Sequence, residues 1–167
     1  MGIMNSVIGS QQGSLAIRRE LYVDYLRELN KIEGITPLSQ TAAEECMDKI
    51  LYQGDTTWYD IRLENGEIVG FLIIGQNTNC HPDADFFIDQ AYILPKFRKR
   101  GLMTKAISEF IEENRGRFCL FIIDNNTYAR SFWFKTFAGL GYVPLYLRDV
   151  GALKDETGIS QYGFAPI

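Results

Sequence analysis

Apolar residues in the first third of the chain recur at three- and four-residue spacing, which is typical of one face of an α-helix. Residues 15–32 follow this spacing, and Gly34 comes shortly after them. We therefore predict an amphipathic helix that ends before Gly34. A second helix with similar spacing is predicted to end before Gly54, and Ser39 or Thr41 can cap its start.

The pattern then changes to that of extended strands. Two alternating segments flank Asn65-Gly66, the dipeptide typical of a tight hairpin. Residues 86–94 are almost continuously apolar, which favours a central strand covered on both faces. The elements predicted after it are a helix near 102–111, a strand at 118–123, a helix at 127–137, and strands at 142–147 and 159–164. The order indicates a mixed α/β protein with helices on both faces of one twisted sheet.

Length and charge narrow the function. A chain of 167 residues without repeats or long linkers predicts a single domain over 1–167. The formal net charge of −4 argues against a nucleic-acid coat protein, because an acidic surface is repelled by a duplex. The longest apolar run, 69–75, is far shorter than the roughly 20 residues that span a bilayer. We expect neither nucleic acid nor a membrane as partner.

Cysteine usage and the first residues bear on location. Cys46, Cys80 and Cys119 are odd in number, and His81 is the only histidine, so neither a disulfide framework nor a metal site is expected. No secretory signal is recognisable at the start of the sequence, which favours the cytoplasm. Met1-Gly2 with Ser6 fits the short myristoylation pattern, so modification of Gly2 stays open.

The most informative segment is a cationic turn at residues 95–104, between the central strand and the next helix. It holds four basic side chains followed by Gly101, and these basic residues are Lys96, Arg98, Lys99 and Arg100. Backbone N–H groups at a helix start have no internal partner and favour an anion. Gly101 lets the backbone approach a phosphate closely. The segment therefore indicates a pyrophosphate site, although a solvated basic turn would have the same composition.

This turn resembles the acetyl-CoA signature of the GNAT superfamily of N-acetyltransferases. In that signature Arg or Gln is followed after two residues by Gly, and after one more by Gly or Ala. Arg98 and Gly101 match, whereas Met103 departs from the third position. Met103 is either a bulky intrusion at the helix start or part of the helix's buried stripe.

A second resemblance to the same family follows the next strand. Asn126 and Ala129 match the family's Asn and Ala, and Trp133 stands where an aromatic residue, in many members Tyr, is found. Asn126 is predicted either to position the pantetheine arm or to cap the following helix. The order of elements around both motifs agrees with the family as well.

The resemblance implies a GNAT-like α/β fold with a mixed sheet of about six or seven strands and a V-shaped splay between the two central ones. The pantetheine arm would bind the backbone at 92–94 like an added strand, and the pyrophosphate would bind at 98–104. The cofactor-binding residues it implies are Tyr92, Ile93, Leu94, Arg98, Lys99, Arg100, Gly101, Leu102, Met103, Thr104, Asn126, Ala129 and Trp133.

Acetyl transfer to an ammonium group needs a proton acceptor, because alkyl ammonium groups have a pKa near 10.4. Asp89 lies inside the apolar central strand, where burial would raise its pKa as a general base requires. It is our candidate base or substrate anchor, and a purely structural ion pair is the alternative. Asp85, near the exposed start of that strand, is the second candidate.

The proton donor for the departing thiolate is less clear, since the indole of Trp133 cannot supply an acidic proton. Tyr92, Tyr128 and Tyr142 are the candidate replacements, against the alternative that they only pack. Thiols have a pKa of about 8.5, so the thiolate needs little assistance to leave.

Together these observations predict an acetyl-CoA-dependent N-acetyltransferase in which a primary amine attacks the acetyl carbonyl directly, without a metal. A backbone N–H near Ile93 would stabilise the oxyanion. The alternative is a non-catalytic acyl-CoA-binding regulatory module. The amine acceptor is not specified by the sequence, and the family resemblance makes a homodimer plausible.

Overall fold

Four α-helices and seven β-strands form the part of the chain described by the structure, a computed structural model. It describes residues 8–9, 15–33, 40–52, 55–76, 82–145 and 159–167. The helices are α1 (Leu15–Glu33), α2 (Gln40–Tyr52), α3 (Leu102–Glu113) and α4 (Thr127–Gly139). The strands are β1 (Ile8–Gly9), β2 (Thr56–Arg62), β3 (Ile68–Gln76), β4 (Phe86–Ile93), β5 (Phe118–Ile123), β6 (Tyr142–Leu145) and β7 (Ile159–Pro166).

The predicted helices and strands are all present in this element order, and the α/β class is confirmed. Strand β1 was not predicted, because two residues carry no readable alternation. Thr41 lies inside α2 rather than at its cap, while Ser39, Cys80, His81 and the Met1-Gly2 pattern lie outside the described residues.

The sheet is mixed and its strands follow the order β1-β2-β3-β4-β5-β7-β6. Strand β4 is fourth of seven, so its predicted central place is confirmed. It pairs with β5 in parallel, in a register from Phe86↔Phe118 to Ile88↔Leu120, whereas β7 pairs antiparallel with both β5 and β6. The most buried strand is β3, since β4 keeps several half-exposed positions.

Two compact units are distinguished by the packing of the described residues. The first comprises residues 1–74 and 90–113, and the second comprises 75–89 and 114–167. Strand β4 therefore contributes its second half to the first unit and its first half to the second. A single domain over 1–167 and a splay between the two central strands both stay predictions.

The first unit has helices on both faces of its strands. Trp58 packs with Tyr22 of α1 and Phe71 of β3, whereas its neighbour Tyr59 meets Phe110 of α3 edge to face at 5.7 Å between ring centroids. Because successive strand residues point to opposite faces, these contacts place α1 and α3 on different sides.

The hairpin between β2 and β3 closes as predicted, with the Gly66 N–H donating to the Leu63 carbonyl at 2.9 Å.

A buried ion pair ties α1 to β2 inside this unit. Asp60 is fully buried and accepts two hydrogen bonds from the Arg18 guanidinium, at 2.8 and 2.9 Å. Its carboxylate also accepts from the Trp58 indole at 2.9 Å and from Arg62 at 3.1 Å. Asp60 thus satisfies polar groups of three side chains where water is excluded.

The second unit is held by an aromatic core. Phe137 of α4 stacks on Phe164 of β7 at 4.3 Å between centroids and also packs against Phe118 of β5. The sequence-based expectation that no cysteine is disulfide-bonded is wrong for Cys119, which is buried on β5 and disulfide-bonded, while Cys46 is a free thiol. An odd cysteine count does not exclude one bridge beside an unpaired thiol.

Among the described residues, no helix combines the length and apolar character needed to cross a membrane.

Candidate functional site

The cationic turn joins β4 to α3 through one short 3₁₀ helix, Pro95–Phe97. The Phe97 N–H donates to the Leu94 carbonyl at 2.9 Å, and the Arg98 N–H donates to the Pro95 carbonyl at 3.2 Å. Helix α3 begins at Leu102, and the Lys105 N–H donates to the Gly101 carbonyl at 2.9 Å. The amides of Leu102 and Met103 precede that bond, as the amides of an anion site at a helix start do.

Two residues of this turn have left-handed backbone. Gly101 has a φ of 74°, and Lys99 has a φ of 60° although it carries a side chain. Left-handed lysine is uncommon, and such backbone is concentrated at ligand-binding and catalytic sites. Apart from Gly101 itself and its two chain neighbours, no described residue has an atom within 4 Å of the Cβ that a side chain at Gly101 would add. The backbone at Gly101 therefore faces open space, which fits the close approach of a phosphate group.

The cations of the turn are used in two different ways. Lys96 and Arg100 flank the ring of Phe97, with Nζ and Cζ at 4.7 and 5.3 Å from its centroid, and Lys99 is exposed. Arg98 is instead partly buried, and it binds Glu28 of α1 through two hydrogen bonds of 2.7 and 2.6 Å. The exposed cations suit phosphate oxygens, whereas the guanidinium of Arg98 is already paired.

The end of β4 also lies in the first unit, and some of its backbone N–H and C=O groups are already hydrogen-bonded. The Leu94 N–H donates to the Val69 carbonyl at 2.9 Å, and the Ile93 carbonyl accepts from Arg98 Nε at 2.8 Å. A Cβ on Gly70 would overlap the Tyr92 carbonyl oxygen, so β3 and β4 approach closely here. The predicted strand-like bonding of pantetheine at 92–94 must therefore use other groups than the Leu94 N–H.

Tyr92 lies in an aromatic cluster with Tyr25 and Phe71. Burial raises the pKa of its hydroxyl to about 12, and the nearby Glu28 carboxylate adds to the increase in pKa. A phenol with so high a pKa is a weak proton donor to a thiolate, whose own acid has a pKa of about 8.5. The raised pKa makes Tyr92 a weaker candidate for the general acid, and its catalytic role stays a prediction.

The remaining candidate residues lie in the second unit. Burial raises the pKa of Asp89 above its ordinary value of 3.8, as expected for a carboxyl inside an apolar strand. Asp85 is exposed, and its carboxylate accepts the Arg117 N–H at 2.8 Å, so it fastens the start of β4. Tyr128 is 60% exposed on α4, and Tyr142 is buried in the aromatic core.

The second motif has structural roles in this unit. The Asn126 side chain accepts the Ala129 N–H at 3.0 Å, which confirms the interpretation of Asn126 as the cap of α4. Trp133 is buried against Phe132 and Phe137.

Met103, the third position of the first motif, lies in the first unit. It is buried on the inner face of α3, which confirms its place in the helix's apolar stripe.

The comparison with protein families identifies the family of this chain. The Acetyltransferase (GNAT) family matches residues 19–138, which include the turn, the end of β4 and the Asn126 motif. The chain belongs to the GNAT acetyltransferase family. Its activity class is accordingly that of an N-acetyltransferase, as the sequence predicts. Among curated proteins, none matches the sequence of this chain.

Solved structures similar to this GNAT chain share its fold at low sequence identity. An acetyltransferase from Thermus thermophilus has a TM-score of 0.64 at 14% identity, with 88% of this chain and 90% of that chain covered. A histone acetyltransferase HPA2 and related acetyltransferase from Corynebacterium glutamicum has a TM-score of 0.60 at 17% identity, with 92% and 93% covered. A GNAT superfamily phosphinothricin acetyltransferase from Sinorhizobium meliloti, solved with AcCoA, has a TM-score of 0.57 at 14% identity, with 95% and 86% covered.

Within this GNAT chain the structure brings together, in the first unit, the end of β4 and the whole cationic turn. Asp89, Tyr128 and the Asn126 motif lie in the second unit, and their place relative to the turn stays a prediction. Sequence reasoning missed Glu28, because it is 70 positions from Arg98 and looks like any acidic residue on the polar side of a helix.

Proposed function

We propose that this GNAT acetyltransferase moves the acetyl group of acetyl-CoA to a primary amine by direct attack. The observation that carries the proposal is the turn at 98–101. Its exposed cations lie beside the start of α3, and the backbone at Gly101 faces open space. A helix start of this kind attracts anions through its unpaired amides and its dipole. The diphosphate of a carrier thioester has the charge and shape that such a turn accepts.

Chemistry at the thioester requires an uncharged amine. We assign to Asp89 the removal of the proton from the bound ammonium, since burial raises its pKa and thereby makes the carboxylate a better base at neutral pH. The nitrogen lone pair then forms the bond to the acetyl carbon, the carbon–sulfur bond breaks, and the thiolate leaves. The second proton of the attacking nitrogen passes to water, which leaves the neutral amide. The negative net charge of the chain, −4, favours cationic acceptors of this kind.

Tyr92 is poorly suited to protonate the thiolate. Tyr92 holds its proton with a pKa of about 12, and the motif position is occupied by the buried Trp133. The proposal therefore has the thiolate leave unassisted and take its proton from water, which a leaving group with a pKa of about 8.5 allows. The same observations favour the second candidate, a non-catalytic module that binds acyl-CoA.

Thiol release distinguishes the two candidates. The purified chain would be given acetyl-CoA and a panel of amines comprising polyamines, aminoglycosides and peptides with a free N-terminus. The transferase predicts amine-dependent thiol release for at least one class, together with calorimetric binding of acetyl-CoA. Binding without release on any amine supports the module, and absence of binding contradicts both.

Asp89→Asn tests the base. If Asp89 accepts the proton, kcat/KM falls by about 100-fold or more, which is the usual contribution of general base catalysis, and the acidic limb of the pH–rate profile disappears. Asp85→Asn compares the second candidate at the start of the same strand: its carboxylate accepts the Arg117 N–H, so we expect its pH–rate profile to keep the acidic limb, and loss of that limb would assign the base to Asp85 instead. Unchanged pH–rate behaviour in Asp89→Asn removes Asp89 from the mechanism.

A further inference from the structure

The side chain of Arg98 lies between α1, the end of β4 and the cationic turn. Its two terminal nitrogens bind the two carboxylate oxygens of Glu28 at 2.7 and 2.6 Å, and its Nε donates to the Ile93 carbonyl at 2.8 Å. The guanidinium also lies 5.4 Å from the centroid of the Tyr92 ring. One planar group thus contacts a helix, a strand end and an aromatic ring, all within the first unit.

This arrangement assigns Arg98 a different use from its neighbours. A guanidinium in a two-point ion pair has most of its donors occupied and its charge compensated, so it adds little attraction for a further anion. The side chains of Arg98 and Glu28 are 30% and 36% exposed, so the pair is neither fully screened nor fully buried. A bond of that kind holds its partners in one geometry more than it adds to overall stability.

The fixed geometry matters because the turn depends on its backbone shape. Arg98 directly precedes the left-handed Lys99, and Gly101 follows two residues later. Helix-start amides bind an anion only when they point at one place, and a backbone in uncommon conformations persists only where its surroundings hold it. The side chain of Arg98 is the link from the turn to α1 and β4 that the described contacts show.

We propose that Glu28 and Arg98 are positioning residues for the acyl carrier: their ion pair holds the turn at 98–101 in the shape that accepts the diphosphate. The inference rests on the proposed function, since it concerns the site that would bind acetyl-CoA. It goes beyond that function in two ways. It includes a residue of α1 in carrier binding, and it gives the first residue of the motif a role as a brace between elements.

Two acetyl donors test the proposal. Acetyl-CoA carries the diphosphate, whereas S-acetylpantetheine carries the same thioester arm without it. We expect Glu28→Gln to raise the Kd and KM for acetyl-CoA about five- to tenfold, as for a charge-assisted interaction discounted for its partial exposure. The KM for S-acetylpantetheine, the KM for the amine and kcat at saturating acetyl-CoA should stay within about twofold of wild type. A merely structural role would change both donors alike.

Arg98→Lys provides a second, independent variant if Glu28→Gln does not fold. It keeps the positive charge but loses the fork that meets both carboxylate oxygens and Ile93. Arg98→Lys should raise the Kd for acetyl-CoA in the same way. The Kd of the double variant should lie within about twofold of that of the weaker-binding single variant, since both substitutions remove the same interaction. Arg27→Gln is the matched control, because it removes an exposed ion pair with Asp24 on the same helix, at 3.3 Å.

The proposal is overturned by any of three results. In the first, Glu28→Gln and Arg98→Lys bind acetyl-CoA as wild type does. In the second, the two variants weaken the binding of acetyl-CoA and of S-acetylpantetheine by the same factor. In the third, the effects of the two substitutions on acetyl-CoA binding multiply in the double variant. A wild type that does not prefer acetyl-CoA over S-acetylpantetheine contradicts the diphosphate site itself, and this result is seen before any variant is made. Failure of the brace and failure of the proposed function are thereby distinguished.

Discussion

A glycine at the helix start and a glycine in the hairpin make a matched pair for testing the carrier site. Gly101 and Gly66 have φ values of 74° and 83°, and no described residue beyond the chain neighbours has an atom within 4 Å of a Cβ added to either. Gly101→Ala and Gly66→Ala therefore impose the same backbone strain without a described steric contact. They differ in place, since only Gly101 lies in the proposed diphosphate site.

The expected magnitudes follow from these two facts. Left-handed backbone costs a residue with a side chain about 1–2 kcal/mol, so both variants should lose that much of the free energy of unfolding. For a chain of this length the melting temperature falls by about 2–4 °C per kcal/mol, and each variant should melt about 2–8 °C lower. In Gly101→Ala the new methyl group also occupies the open space at the helix start. Loss of one hydrogen bond to a charged phosphate, worth about 1.5–3 kcal/mol, would weaken acetyl-CoA about ten- to hundredfold.

Differential scanning calorimetry and isothermal titration with acetyl-CoA measure the two effects on the same samples. The reasoning predicts equal loss of melting temperature in both variants, and loss of acetyl-CoA binding only in Gly101→Ala. It is refuted if the two variants bind acetyl-CoA equally well. A much larger loss of stability in Gly101→Ala would show that the space beside Gly101 is filled.

Three further predictions concern buried groups. Burial raises the pKa of the Asp89 carboxyl above its ordinary value of 3.8, so ionising it destabilises the fold. Its contribution to stability is therefore complete below pH 3.8 and is lost as the pH rises through the raised pKa. In calorimetry Asp89→Asn should melt at a higher temperature than wild type at pH 7 and at the same temperature at about pH 3. Asp60→Asn removes the buried carboxylate charge that binds Arg18 at 2.8 and 2.9 Å, which should cost about 3–5 kcal/mol and lower the melting temperature by about 6–20 °C. The exposed control Asp55→Asn should change stability by no more than about 0.5 kcal/mol in calorimetry. Gly70→Ala should lower the urea midpoint more than either left-handed glycine variant, because its methyl group overlaps backbone rather than open space.

Local signals in the sequence are sufficient for much of the fold. The helical spacing of α1, the Asn65-Gly66 turn and the cap of α4 each depend on residues a few positions apart, and each prediction is confirmed. Side-chain spacing and turn chemistry operate at that range. The cationic turn could be located for the same reason, since its charges and its glycine are contiguous.

Long-range arrangements could not be predicted in the same way. Strand β7 lies between β5 and β6, although it is last in the sequence, and no pattern within β7 specifies its neighbours. Sequence order likewise gave no indication of the disulfide at Cys119. The pairing of Arg98 with Glu28 spans 70 positions and depends on where α1 packs. Such contacts form only in the tertiary structure, and the local patterns of a single sequence do not reveal which distant positions meet.

Arg98 shows how a motif can be located from the sequence while the partners of its side chain are seen only in the structure. A basic residue beside a helix start suggests a phosphate ligand. Lys96, Lys99 and Arg100 are exposed there, and the Arg100 guanidinium also donates to the Lys96 carbonyl at 3.2 Å. An ion pair at an exposed surface contributes only about 0–1 kcal/mol, so each exposed cation holds an anion weakly. Amides at the helix start act at hydrogen-bond distance, but they do so only while the turn keeps its shape. The residue in contact with Glu28 and the Ile93 carbonyl serves that condition. Binding strength in this turn should therefore depend more on the paired guanidinium than on any one of the exposed charges.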